Sequence, residues 1–319
     1  PGRHDVAMAS NLHVAITARG ERNGLIQAEA MALTGGSPDA DGVSTCERID
    51  RIDRAAYVHR GVRIIVSADT IEELRDAIAV RANTIQSDRF RIDVHDPESR
   101  SPLGRIEIAI MLADALQEFP DLGNPLHHFL VIVGERNLMF GEIEAESAAS
   151  YRLHDNKPWT TSSSLDGRFS RALVNLVPDA RSILDPCCGA GSIVVEAASL
   201  GIEAFGVDWK PALAGMTHEN LAHFGYSGTV VQADSRSHVQ YADAIVTDLP
   251  YGHAINADEG VIRAILEQCA GLAPRAVFVA PTNITTWLTD TGYANIQVHS
   301  VMKRRGFTRW VHAAESTVT

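Results

Sequence analysis

Apolar and polar residues alternate along LHVAITA at residues 12–18, the period of two that a half-buried strand imposes. GLIQAEAMAL, at 24–33, spaces its apolar residues for one face of a helix and stops at Gly35 and Gly36. GVRIIVSA (61–68) predicts a second strand. In TIEELRDAIAV, Thr70 stands three residues before Glu73, the capping-box spacing that satisfies free N–H groups at a helix start. RIEIAIMLADALQEF (105–119) predicts a further helix, and HHFLVIVG (127–134) and NLMFGEI (137–143) two more strands. The first half reads as mixed α/β.

After the polar stretch NKPWTTSSSLDGR (156–168) the pattern becomes regular. RSILD, EAFGVD, GTVVQAD, ADAIVTD and RAVFVA are short β-rich runs separated by helical segments such as SIVVEAASL and GVIRAILEQCAGL, which predicts a doubly wound parallel sheet. The end differs. IQVHSVM and TRWVHAA predict two strands joined by the basic KRRGF, an antiparallel hairpin. The chain thus divides into residues 1–150 and 151–319.

Composition narrows the class. No apolar run approaches the ~18 residues of a membrane span, so a cytoplasmic protein without membrane contact is expected. Cys46, Cys187, Cys188 and Cys269 show no CxxC spacing, which argues against a zinc site and a disulfide framework, and no metal is expected. The net charge of -12 argues against a polyanionic partner unless basic residues are concentrated locally. Lys303, Arg304, Arg305 and Arg309 are such a concentration, although a basic run also suits a solvated face.

In a doubly wound sheet, ligands lie at the C-terminal strand ends where the strand order reverses. The run ILD leads into DPCCGAGS, whose Gly189 and Gly191 allow a tight turn and close approach to a ligand, with Cys187 on the same loop. Asp185 at this strand end suits the ammonium group of a methionine moiety better than a phosphate. Asp208, at the next strand end, is placed to accept both hydroxyls of a ribose, and Trp209 to stack on adenine. Asp234, in QADS, is placed to accept from the adenine amine. Any one aspartate reads as a turn residue; their ordered succession reads as a cofactor site for S-adenosylmethionine.

The fourth run ends in Asp248, Leu249, Pro250, Tyr251 and Gly252. The lone pair of an exocyclic base amine is delocalised into its ring, so a site that alkylates it must accept hydrogen bonds from the N–H groups. The Asp248 carboxylate and the Leu249 carbonyl are the acceptors, Pro250 fixes φ and removes a donor, and Tyr251 offers a face for the base.

At these residues the chain resembles the THUMP-containing tRNA guanine-N2 methyltransferases, most closely the archaeal enzymes that modify guanine 10. The family carries Asp-Pro-Pro-Tyr-Gly where this sequence has 248–252, and Asp-Pro-x-Cys-Gly-x-Gly at 185–191. RAAYVHRGVRIIV, IEIAIMLADALQEFPDLGNP and LVIVGERNLMFGEI are similar to its THUMP region, and SLDGRFSRALVNLV to its helix before the first catalytic-domain strand. The resemblance implies an α/β fold with two parts. They are a mixed α/β domain containing a THUMP domain at about residues 55–145, and a Rossmann-like seven-stranded methyltransferase domain with a terminal antiparallel hairpin.

It further implies S-adenosylmethionine as cofactor, tRNA as partner, and N2-methylguanosine or its dimethylated form as product, from a monomeric enzyme. Ser164 would help hold the methionine carboxylate, and Lys303, Arg304, Arg305 and Arg309 would contact RNA. Two departures stand out: Leu249 replaces the family's first proline and is expected to loosen the turn, and KPWTTSSSLD is less basic than the family pattern. Methylation of an rRNA guanine or a DNA amine, or RNA binding without catalysis, are the alternatives that the sequence leaves open.

Overall fold

Two sheets form, one in each of two units that interleave along the chain. The computed structural model of the protein describes residues 12–20, 23–250, 259–304 and 307–318. Over these, the first unit comprises 12–18, 34–53 and 58–147, and the second 19–33, 54–57 and 148–318. A single division near residue 150 therefore does not separate them, because two N-terminal segments pack within the second unit.

The first half contains β1 (His13–Thr17), α1 (Asn23–Thr34), β2 (Val43–Cys46), β3 (Val58–Ala68), α2 (Ile71–Arg81), β4 (Phe90–His95), α3 (Arg105–Leu116), β5 (His127–Val133) and β6 (Leu138–Glu146). The six strands are ordered β2-β1-β3-β6-β5-β4, antiparallel except for the pair β4 and β5. Leu74 and Ile78 of α2 and Ile108, Leu112 and Leu116 of α3 close over Phe90, Phe129 and Phe140 of the sheet. Burial of side chains this large, at roughly 1.5–3 kcal/mol each, is what holds the helices to the strands.

The capping box is present: Thr70 Oγ1 accepts from Glu73 N, and the Glu73 carboxylate accepts from Thr70 N, each at 3.2 Å. The helix expected to reach 119 ends at Leu116, where Gln117 turns left-handed at φ 59°. Two strands lacked a sequence signal. β2 is a four-residue edge strand, and β4 pairs in parallel with β5, far along the chain.

The second unit contains α4 (Gly167–Asn175), β7 (Ser182–Asp185), α5 (Ser192–Ser199), β8 (Glu203–Asp208), α6 (Pro211–Phe224), β9 (Thr229–Gln232), β10 (Ala244–Asp248), α7 (Glu259–Ala270), β11 (Arg275–Ala280), α8 (Thr285–Asp290), β12 (Tyr293–Arg304) and β13 (Phe307–Ser316). Its seven strands are ordered β12-β13-β11-β10-β7-β8-β9. β9, β8, β7, β10 and β11 run parallel, β13 is antiparallel to β11, and β12 to β13. This is the expected Rossmann-like sheet with its reversed terminal hairpin, and the order reverses between β7 and β10. Pairing continues to Arg304 and Phe307, so the hairpin strands run through most of the expected connection.

Asp166 caps α4 by accepting from Phe169 N at 2.7 Å. The wholly buried Glu29 of α1 accepts from Ala56 N, Tyr57 N and Asn175 Nδ2 at 2.8, 2.6 and 2.6 Å. Buried Glu196 of α5 holds Arg171 of α4 at 2.8 Å and His154 at 2.6 Å. The hydrogen bonds of Glu29, with that of Arg171 to the Arg54 carbonyl at 3.2 Å, tie residues 19–33 and 54–57 into the second unit. Among the described residues no helix is long and apolar enough to cross a membrane.

Candidate active site

Strands β7, β8 and β10 of the second unit deliver their C-terminal ends to one cavity of about 340 Å³ at the reversal of strand order. Asp185 ends β7, Asp208 ends β8 and Asp248 ends β10, and all three line it. β9 stops at Gln232, so Asp234 lies two residues past its strand rather than at its end, although it too lines the cavity.

Asp185 is only 2% exposed. Its Oδ1 accepts from Thr247 Oγ1 at 2.6 Å and from Cys187 N at 3.1 Å. Burial pushes its pKa up to about 7, those hydrogen bonds oppose the shift, and the charges of Asp248 and Asp208 add to it. The thiols of Cys187 and Cys188 are pushed up mainly by burial, which keeps them protonated and unreactive. Cys187 contributes its backbone N–H and a cavity wall.

Gly189 and Gly191 have φ of 55° and 80°, which L side chains rarely adopt. A Cβ at Gly191 would stand 2.5 Å from Thr217 Cγ2, whereas one at Gly189 would meet open space. Close packing requires the second glycine, and backbone conformation the first. Asp208 is held by Gly189 N at 3.0 Å on Oδ2 and Lys210 N at 2.9 Å on Oδ1, which leaves each oxygen a further lone pair. Burial raises its pKa against those bonds. Trp209 lines the cavity with 61% of its surface exposed, and Lys210 Nζ lies 5.3 Å from its ring centre.

Asp234 is paired with Arg236, which the sequence reading passed over. Arg236 Nε lies 2.9 Å from Oδ1 and its backbone N 3.0 Å. The Arg236 side chain holds Asp234 down at about 2. Ser235 Oγ donates to the Pro186 carbonyl, joining this loop to the one after β7. Ser164 lines the cavity, where its Oγ accepts from Thr161 N at 2.9 Å.

Leu249 is 2% exposed, packs in the same core as Ile262 and Ile265, and donates its N–H to Val279 O at 3.0 Å. A proline could not make that bond, which ties Leu249 to β11. Pro250 lines the cavity. Tyr251 and Arg305 lie outside the described residues. Lys303 and Arg304 close β12.

Arg309 corrects the expected RNA contact. It is 4% exposed, with its guanidinium 5.5 Å from the Phe169 ring centre, so it faces the interior and not a phosphate backbone. Thr217 and Asn220 of α6 and Thr247 of β10 also bond to the site's loops, and none has a sequence motif to mark it. Among the described residues no group of His, Cys, Asp or Glu is gathered to hold a metal ion.

Residues 155–278 match the UPF0020 family, described as an RMKL-like methyltransferase domain. A protein of Methanothermobacter thermautotrophicus named tRNA (guanine(10)-N2)-dimethyltransferase is 31% identical over 212 residues, 62% of this chain and 62% of that one. One of the same name from Pyrococcus abyssi is 30% identical over 142 residues, 41% of this chain and 43% of that one. The chain thus matches less than two thirds of the length of either relative. The crystal structure of TrmN from Thermus thermophilus superposes with a TM-score of 0.54 at 20% identity, covering 96% of this chain and 100% of that one, a likeness of fold.

Proposed function

We propose that this chain, whose residues 155–278 match the UPF0020 family of RMKL-like methyltransferase domains, transfers a methyl group from S-adenosylmethionine to the N2 amine of a guanine in tRNA. Guanine 10 is the target, as the names of the two archaeal relatives suggest, and the product is N2-methylguanosine or its dimethylated form. One observation carries the reading: Asp185, Asp208 and Asp248 meet at one cavity where the strand order reverses, and the third leads into Leu249 and Pro250.

The residues fit the cofactor. Asp208 keeps an acceptor lone pair on each oxygen for a ribose hydroxyl, the space beside Gly189 is open, and buried Asp185 suits a cationic group. When bound, S-adenosylmethionine supplies a methyl group already activated by its sulfonium. The chain's own work is then positioning. Asp248 and the Leu249 carbonyl accept from the target N–H groups and direct the nitrogen lone pair, and Tyr251 supports the base. Asp248 and Leu249 would hold the amine facing the donor, and the proton that the amine gives up on methylation would pass along its N–H hydrogen bond to the Asp248 carboxylate.

Within this reading residues 55–145 form a THUMP domain that grips the tRNA acceptor end, and Lys303, Arg304 and Arg305 touch backbone near the target. The enzyme acts in the cytoplasm as a monomer. The test incubates tRNA with the full chain and isotopically labelled S-adenosylmethionine, followed by mass spectrometry of the nucleosides and of ribonuclease fragments that locate the label. Label in N2-methylguanosine at position 10 is expected. Label in another nucleoside, or equal labelling of rRNA or DNA, would show the assignment to be wrong.

A further inference from the structure

Asn220 lies wholly buried in α6. A buried amide is costly unless its polar atoms find partners. Its Oδ1 accepts from the backbone N–H of Trp159 at 3.0 Å, and its Nδ2 donates to the Trp159 carbonyl at 2.9 Å and the Ala190 carbonyl at 2.8 Å. One side chain thus joins both backbone groups of residue 159 to the glycine loop after β7. Thr217, on the same helix face, donates to the Gly189 carbonyl at 2.8 Å.

Residues 157–165 form neither helix nor strand, so such tethers fix their path. The Trp159 indole N–H donates to Glu219, and the Leu165 carbonyl accepts from Ser192 Oγ at 3.0 Å and from Lys157 Nζ at 3.5 Å. Held this way, the strap presents Thr161, Ser163 and Ser164 to the cavity. The sheet order sets which end of the cavity this is. Asp208 and Asp234 follow β8 and β9 on one side of β7, while the strap is bonded at its Trp159 end to α6, which follows β8, and at its Leu165 end to Ser192, the first residue of the helix that follows β7. A ligand whose ribose sits on Asp208 and whose base points towards Asp234 extends its remaining half towards Asp185 and the Leu165 end of the strap.

We propose that Asn220 is a positioning residue that clamps the 157–165 strap to the glycine loop and so shapes the part of the cavity that receives the amino-acid half of the cofactor. The proposal rests on the methyl-transfer reading above. It is tested on the full chain by calorimetric titration with S-adenosylhomocysteine and with 5′-methylthioadenosine, which share adenine, ribose and sulfur and differ in the amino-acid group. Asn220→Ala should weaken S-adenosylhomocysteine at least about tenfold and leave 5′-methylthioadenosine within about twofold, since the smaller ligand does not reach the strap and Asp208 keeps its bonds from Gly189 N and Lys210 N. Retained binding of the smaller ligand reports an intact fold.

If that variant does not fold, Asn220→Ser keeps one polar atom in the buried site while losing at least one of the three bonds, and enters the same comparison. Equal weakening of both ligands, or of neither, in a folded variant overturns the clamp alone. Wild-type protein that binds neither ligand overturns the methyl-transfer reading, and the clamp with it.

Discussion

Asp185 gains a proton-dependent role from its surroundings. Burial, with the charges of Asp248 and Asp208, pushes its pKa up from 3.8 to about 7 against the hydrogen bonds from Thr247 and Cys187. An acid whose pKa rises on folding contributes stability that is full below pH 3.8 and is lost as pH rises through about 7. Melting temperatures of the unliganded wild type, relative to Asp185→Asn, should accordingly fall across that window. Binding of a cationic group requires the ionised form, so affinity for S-adenosylmethionine should climb as pH rises to about 7, a rise absent in Asp185→Asn. Asp208→Ala should cost cofactor binding about 1.5–3 kcal/mol per ribose bond lost, measured by calorimetry. Asp248→Ala should keep cofactor affinity and lose ~100-fold in single-turnover rate. These aspartates were legible because a carboxylate at or just past a strand end is a local signal. Thr247, Asn220 and Arg309 were not, since what they touch lies 62, 30 or 61 positions away for the first two, and on another element for the last. For Arg309 a signal did exist: it shares a strand face with buried Val311, which the basic run around it masked.

The loop between β7 and α5 works only with the helix beside it. Gly191→Ala would bring a Cβ to 2.5 Å from Thr217 Cγ2 at a backbone φ of 80°. Unfolding measurements should show a loss of about 1–3 kcal/mol, the usual cost of a forced left-handed residue. Adding Thr217→Ser removes the clashing methyl and keeps the hydroxyl that bonds Gly189, so it should restore part of the loss and leave the portion due to φ together with the contact to Oγ1 at 2.9 Å. Full recovery would mean that φ contributes nothing. Elements with strong periodicity or a capping pair, such as α2, were readable from sequence. β2 and β4 were not, because their assignment depends on partners: β2 lies at a sheet edge, and β4 acquires its place from β5.

At the scale of the molecule, the second unit draws on three stretches of chain. A fragment of residues 148–319 would remove Glu29 and Arg54, which bond to buried Asn175. Each buried polar group left without a partner costs about 1–3 kcal/mol. The fragment should therefore unfold at lower urea concentration than the same unit in the full chain, and Glu29→Ala in the full chain should shift the midpoint in the same direction. Equal midpoints would mean that residues 19–33 add nothing. The interleaving also bears on how the protein is made. On the ribosome the face of α1 carrying Leu25, Ile26, Ala30 and Leu33 emerges first. Asn175, which donates to the buried Glu29 carboxylate of the same helix, follows 146 residues later, an interval of ~10 s at ordinary elongation rates. Until then the nascent helix lacks most of the unit it belongs to, so synthesis of the chain depends on whatever shields those side chains in the meantime.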